Sequence, residues 1–175
     1  MSFLITYPPV RVNDCFVSDN SNFDFSIPEQ NFFDPIVEGS PNISHRFQSD
    51  FYKKIGVDIV TETVFNYPYP FITEKTYRPI ASLRPFIIVG PYGTLKFIKD
   101  LGFVTFSDIM DERYDNVKNP ELRFDAVCKT IKNFVCRPIV EIQSDLCKIK
   151  EDLKFNQIHL SNLIKIELEK FKAQL

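Results

Sequence analysis

A chain of 175 residues can build one well-buried core and is short for two, since domains usually run to roughly 100–200 residues. Hydrophobic residues at 44% and charged residues at 25% form a globular balance, and a formal charge of −2 argues against general nucleic-acid binding, so any phosphate site must be local. No apolar run approaches the roughly 18–20 residues that span a bilayer, and the stretch from Met1 to Pro9 lacks a basic start and a long apolar centre, so the cytoplasm and no membrane partner are expected.

Residues 1–54 are punctuated by Pro8, Pro9, Pro28, Pro35 and Pro41, with Phe16, Phe23, Phe25, Phe32 and Phe33 between them. Proline at that density breaks regular elements while the phenylalanines argue against disorder, which predicts an irregular aromatic arm packed on its own domain or on a partner. Residues 55–118 read as an α/β core. The β-branched run Val57 to Val64 predicts a strand with Val57, Ile59 and Thr61 on one face. The linker Asn66 to Pro70 cannot be helical, because each proline pushes its predecessor toward extended geometry.

A helix is predicted next, and Pro79 sets its start. Proline is harmless in a first turn and disruptive further in, so Thr76 is the expected N-cap, with Thr73, Glu74 and Lys75 on the approach. Pro85 to Val89 reads as a buried strand and Gly90 to Gly93 as a turn. Thr94 to Leu101 carries Leu95, Ile98 and Leu101 at helical spacing and is closed by Gly102. Phe103 to Phe106 is the third expected strand. This alternation predicts an α/β fold with a short parallel, Rossmann-like sheet and crossover helices.

After a polar loop from Asp108 to Pro120, residues 119–175 read as a helical tail of the same single domain. Phe124, Val127, Ile131 and Phe134 form one stripe and Pro138 breaks it. Ile142, Leu146, Ile149 and Leu153 form a second, and Leu160, Leu163, Ile166 and Leu168 a third. A long amphipathic tail on a small domain suggests a homo-oligomer. Cys15, Cys128, Cys136 and Cys147 lack metal-binding spacing and read as buried free thiols.

Phe71 to Ile80 places a carboxylate, an ammonium and a guanidinium at the mouth of the predicted helix. A nucleoside diphosphate sugar offers two phosphates and a ribose diol. Lys75 and Arg78 can supply cations, Glu74 an acceptor for hydroxyls, and the helix start its N–H groups. In open α/β sheets such ligands lie beyond the carboxyl ends of the strands, where the loops at 65–76 and 90–94 fall. Thr73 and Thr76 lie in the same segment, and Glu62 at the strand end either orients Lys75, adds a second carboxylate or is merely solvated. With five glycines and neither a Gly-x-Gly-x-x-Gly nor a Walker loop, a dinucleotide fingerprint is excluded. Asp111, Glu112 and Asp115 are a possible cation cluster, with a solvated loop the favoured alternative and no metal expected. His45 and His159 have no catalytic partner at a recognisable spacing.

Glu62-Thr63, then Phe71-Ile72-Thr73-Glu74-Lys75, a short helix and Pro85-Phe86-Ile87-Ile88-Val89-Gly90 resemble the nucleotide-sugar-binding half of GT-B glycosyltransferases, especially family 10 fucosyltransferases and exostosin-like enzymes. Leu95 to Phe106 and Asp111 to Asp115 resemble glycosyltransferase-like proteins of phages and marine microbes. The resemblance spans about residues 55–125. It implies a ribose contact for Glu74 and a diphosphate contact for Lys75, with no separate cofactor; Arg78 comes from the residues alone. Those enzymes work in a cleft between two domains, and the acceptor half has no counterpart here. The resemblance therefore implies a donor-binding domain completed by a second subunit or chain. The alternative is a non-catalytic binding or assembly module derived from such a half-domain.

Overall fold

A computed structural model describes residues 3–6 and 55–174, with side chains from Gly56 onward. The elements are β1 (Phe3–Thr6), β2 (Ile55–Thr61), α1 (Glu74–Ala81), β3 (Phe86–Val89) and α2 (Thr94–Asp100). A 3-10 turn (Arg113–Asn116) follows, then α3 (Pro120–Val135), α4 (Ile139–Lys148) and α5 (Lys150–Lys172). The fold is mixed α/β, and its sheet runs β1-β2-β3. β2 and β3 are parallel, pairing Asp58 with Phe86 through Thr61 with Val89, with α1 in the connection between them. β1 joins the other side of β2 antiparallel, Phe3 opposite Ile59, with its register shifted between Leu4 and Thr6. β1 lies within the segment expected to be irregular. The rest of that arm, with Cys15 and His45, lies outside the described residues.

β2 is the middle strand, paired along both edges, and packing covers both of its faces. Val57, Asp58, Ile59 and Val60 are all buried, where one buried face was expected. β3 is as apolar, with Phe86, Ile87 and Ile88 each at 2% exposure or less.

The expected third strand does not form: among the described residues Phe103 to Phe106 has no strand partner. Its backbone is satisfied by side chains instead. Asn156 on α5 accepts from Val104 N and donates to Val104 O, both at 2.8 Å, and Glu112 accepts from Phe106 N at 2.6 Å. On β3, the Ile88 N–H donates to the buried Tyr114 hydroxyl at 3.2 Å. A buried backbone group needs a partner but not a strand partner, and here polar side chains supply it.

The helices close over the sheet in one continuous apolar cluster that runs from Val57 to Leu160. Within the expected stripes, Val127, Phe134, Ile142, Leu146, Ile149, Leu153 and Leu160 are buried. Ile131 and Leu163 are half-buried, while Phe124, Ile166 and Leu168 are about half exposed or more. α5 lies against α1, where Gln157 Nε2 donates to Ala81 O at 2.7 Å, and from Lys165 onward its described residues are all exposed. The burial expected of the thiols is overturned at Cys128, Cys136 and Cys147, which are exposed. The inward positions beside them belong to Val127, Phe134 and Leu146.

Candidate ligand-binding site

β2 ends at Thr61, and the next residue, Glu62, turns a carboxylate into the start of α1. Glu62 is 8% exposed. Its Oε1 accepts from Thr73 N at 3.0 Å and from the Thr76 hydroxyl at 2.6 Å, and its Oε2 accepts from the Thr73 hydroxyl at 2.8 Å. The Thr73 hydroxyl in turn accepts from Lys75 N at 3.3 Å and makes Thr73 the N-cap. The predicted cap at Thr76 is therefore three residues late. Threonine at the cap satisfies one free N–H, and a buried carboxylate behind it fixes its geometry, which outweighs the local preference of Pro79 for a first turn. Pro79 sits inside the helix without an N–H to give. α1 accordingly lasts only eight residues and closes when Leu83, at φ +56°, lets Arg84 N reach Pro79 O at 2.9 Å.

This arrangement revises the role of the helix start. A helix N-terminus favours an anion, and here the anion is the chain's own Glu62 carboxylate, carried through two threonine hydroxyls. Glu62, Thr73 and Thr76 converge, and they converge on one another. Glu62 does not bond Lys75; the Lys75 ammonium lies 3.3 Å from the Thr63 hydroxyl, over the first residues of the loop. Glu74 is exposed and Arg78 half-buried on the same short helix, where positions three and four apart share a side.

The next helix, α2, has the same device in tighter form. Asp115, 5% exposed, accepts from Leu95 N at 2.9 Å and Lys96 N at 3.0 Å, and its own carbonyl accepts from Gly93 N at 3.0 Å. Burial holds the Asp115 carboxyl above its ordinary range, against the pull of those two N–H groups. The rest of the possible cation cluster faces elsewhere. Asp111 chelates the Arg113 guanidinium, which draws its carboxyl down to about 2, and Glu112 accepts from Lys99, Thr105 and Phe106. His159 is likewise engaged, with Nε2 2.8 Å from Leu101 O and its ring stacked on Phe155.

Arg123, which sequence reasoning passed over, ties these loops together. It is 3% exposed, and its guanidinium donates to Phe65 O at 2.8 Å, Gly90 O at 3.2 Å, Val117 O at 2.9 Å and Lys118 O at 3.0 Å. It also lies 4.4 Å from the centre of the Phe65 ring. One side chain thus binds the loop after β2, the turn after β3 and the approach to α3. Burial lowers its proton affinity and neighbouring Asp115 opposes that. Phe124, expected in the core, instead meets Phe65 edge-on at 5.9 Å. The one signal in the sequence was a basic residue beside an apolar stripe, which reads equally as a solvated position.

No family model, curated protein or solved structure matches this chain. Among the described residues no helix is long and apolar enough to cross a membrane, and no group of three or more His, Cys, Asp or Glu side chains is placed to hold a metal ion.

Proposed function

We propose that the carboxyl end of the parallel pair binds a nucleoside diphosphate, presented as a nucleotide sugar. The observation that carries this reading is the position of Lys75. Its ammonium lies 3.3 Å from the Thr63 hydroxyl, just past β2, on a loop that Glu62 ties to Thr73 and Thr76 and Arg123 holds at the Phe65 carbonyl. Because Glu62 occupies the helix start, the diphosphate is held by the Lys75 and Arg78 cations rather than by helix N–H groups, and Glu74 accepts from ribose hydroxyls. Glu62, Thr73 and Thr76 keep that loop in place. A glycosyltransferase-like role follows from the resemblance described above. Sugar transfer then needs a second subunit or chain to supply the acceptor side, and the cations here stabilise the departing diphosphate by electrostatics.

Melting in the presence of UDP and of GDP tests this. A ligand at about 100 times its Kd adds about 2.7 kcal/mol to the folded state, so a clear upward shift is expected with one of the two, lost in Lys75→Ala. No shift with either nucleotide contradicts the proposal.

A second reading, a non-catalytic assembly module, is favoured by one observation: the end of α5 exposes Ile166, Leu168 and Phe171 at 51%, 52% and 61%. On that reading light scattering finds an oligomer that Leu168→Glu dissociates, and no nucleotide shifts the melting.

A further inference from the structure

The loop after β2 carries Tyr67 and Tyr69 at 47% and 68% exposure, and the turn after β3 carries Tyr92 at 38%. Three open phenol rings in two connections are unusual, because rings of that size normally bury most of their surface. We propose that Tyr67, Tyr69 and Tyr92 form the stacking platform for the nucleobase of the bound ligand, an assignment that rests on the nucleoside diphosphate reading above.

Two sets of contacts bring together the backbone segments that carry these rings. Arg123 holds the carbonyls of Phe65 and Gly90, each two residues before a platform tyrosine, and that of Lys118. Gly93, next to Tyr92, lies so near the first loop that a Cβ on it would stand 4.0 Å from Pro70 Cγ. The platform is also stiff. Pro68 and Pro70 flank Tyr69 and restrict the backbone on both sides, while Tyr67 is braced edge-on by Tyr69 and Phe71 with centroids 6.2 and 6.3 Å apart. A ligand landing there loses little to ordering the loop.

Charge names the chemistry. The Lys118 ammonium lies 5.8 Å from the centre of the Tyr92 ring, and the Lys75 ammonium reaches back from α1 to Thr63, at the start of the loop that carries Tyr67. A flat apolar body joined to negative charge uses both the rings and the lysines. A neutral sugar or an apolar peptide would use the rings and leave two cations idle. Stacking on tyrosine tolerates any base, so the platform supplies affinity and Lys75 fixes the diphosphate.

The chain has seven tyrosines and no tryptophan, so its intrinsic emission comes from tyrosine, and the platform supplies three of the seven rings. UDP, GDP and inorganic pyrophosphate are titrated into the wild type, the Tyr67→Ala/Tyr92→Ala double variant and Lys75→Ala, with far-ultraviolet dichroism confirming the fold of each. UDP or GDP is expected to quench tyrosine emission, and the double variant to bind it at least about tenfold more weakly while retaining wild-type affinity for pyrophosphate. Equal affinity of the nucleotide for wild type and double variant, with loss only in Lys75→Ala, overturns the platform and leaves the diphosphate site standing. If neither nucleotide nor pyrophosphate binds the wild type, the nucleoside diphosphate reading fails and the platform fails with it.

Discussion

The two strand-to-helix connections at the carboxyl end of the sheet solve one problem in different ways. Each places a buried carboxylate of the chain at the start of a helix. After β2 the acid is Glu62, 11 residues before Thr73 and 14 before Thr76, and it works through their hydroxyls with one backbone N–H. After β3 it is Asp115, 20 residues beyond Leu95 and 19 beyond Lys96, and it takes their backbone N–H groups directly. The first leaves a long loop with Tyr67, Tyr69 and Phe71 exposed; the second pulls a four-residue turn tight. A carboxylate at a helix start can therefore brace a long loop or draw a short turn tight. Which of the two results depends on whether it reaches the helix through adaptable hydroxyls or through fixed N–H groups.

Arg123 bridges both connections, so its loss should be the most damaging change. Arg123→Met leaves four carbonyls without their donor and should lower the unfolding free energy by at least about 3 kcal/mol, read from urea midpoints. A loss under about 1 kcal/mol would show the two connections to be independent. Asp115→Asn comes next. The amide must turn an NH2 toward a backbone N–H that cannot reverse, at a cost of about 2–3 kcal/mol.

The closed side continues to the far end of α2. Gly102 there has φ +93°, and a Cβ would stand 2.8 Å from His159 Nε2, breaking into its contact with Leu101 O. Gly102→Ala should cost about 1–2 kcal/mol through backbone strain and the displaced ring. Glu62→Gln should be mildest, at about 1 kcal/mol, because the Thr73 hydroxyl can rotate from donor to acceptor and meet the new NH2. Should Glu62→Gln prove as damaging as Asp115→Asn, the distinction between hydroxyl and N–H bracing falls.

Elements whose signal is local were legible from the residues: β2 and β3 from β-branched and apolar runs, α2 from its spacing and Gly102, and the later helices from their stripes and Pro138. Those decided by distant partners were not. Phe103 to Phe106 has the apolar texture of a strand, but whether it pairs depends on Asn156, some fifty residues on. Thr76 looked like the cap because Pro79 prefers a first turn, while Glu62 moved the cap to Thr73 from outside the helix. Of the candidate site residues, Thr73 and Thr76 were named with their segment and Glu62 with three open roles, and the bonding of Glu62 to both threonines was not foreseen. Arg123 and Asp115 were missed as braces, because a lone charge in a helix or loop carries no local mark of burial.

Isothermal titration of UDP and GDP into the wild type and into Lys75→Ala addresses the mouth between β2 and α1 directly. Saturable one-to-one binding of at least one nucleotide to the wild type, reduced at least about tenfold in a Lys75→Ala protein of unchanged melting temperature, is the expected result, a loss of about 1.4 kcal/mol or more. Absence of binding, or binding indifferent to Lys75, would contradict it.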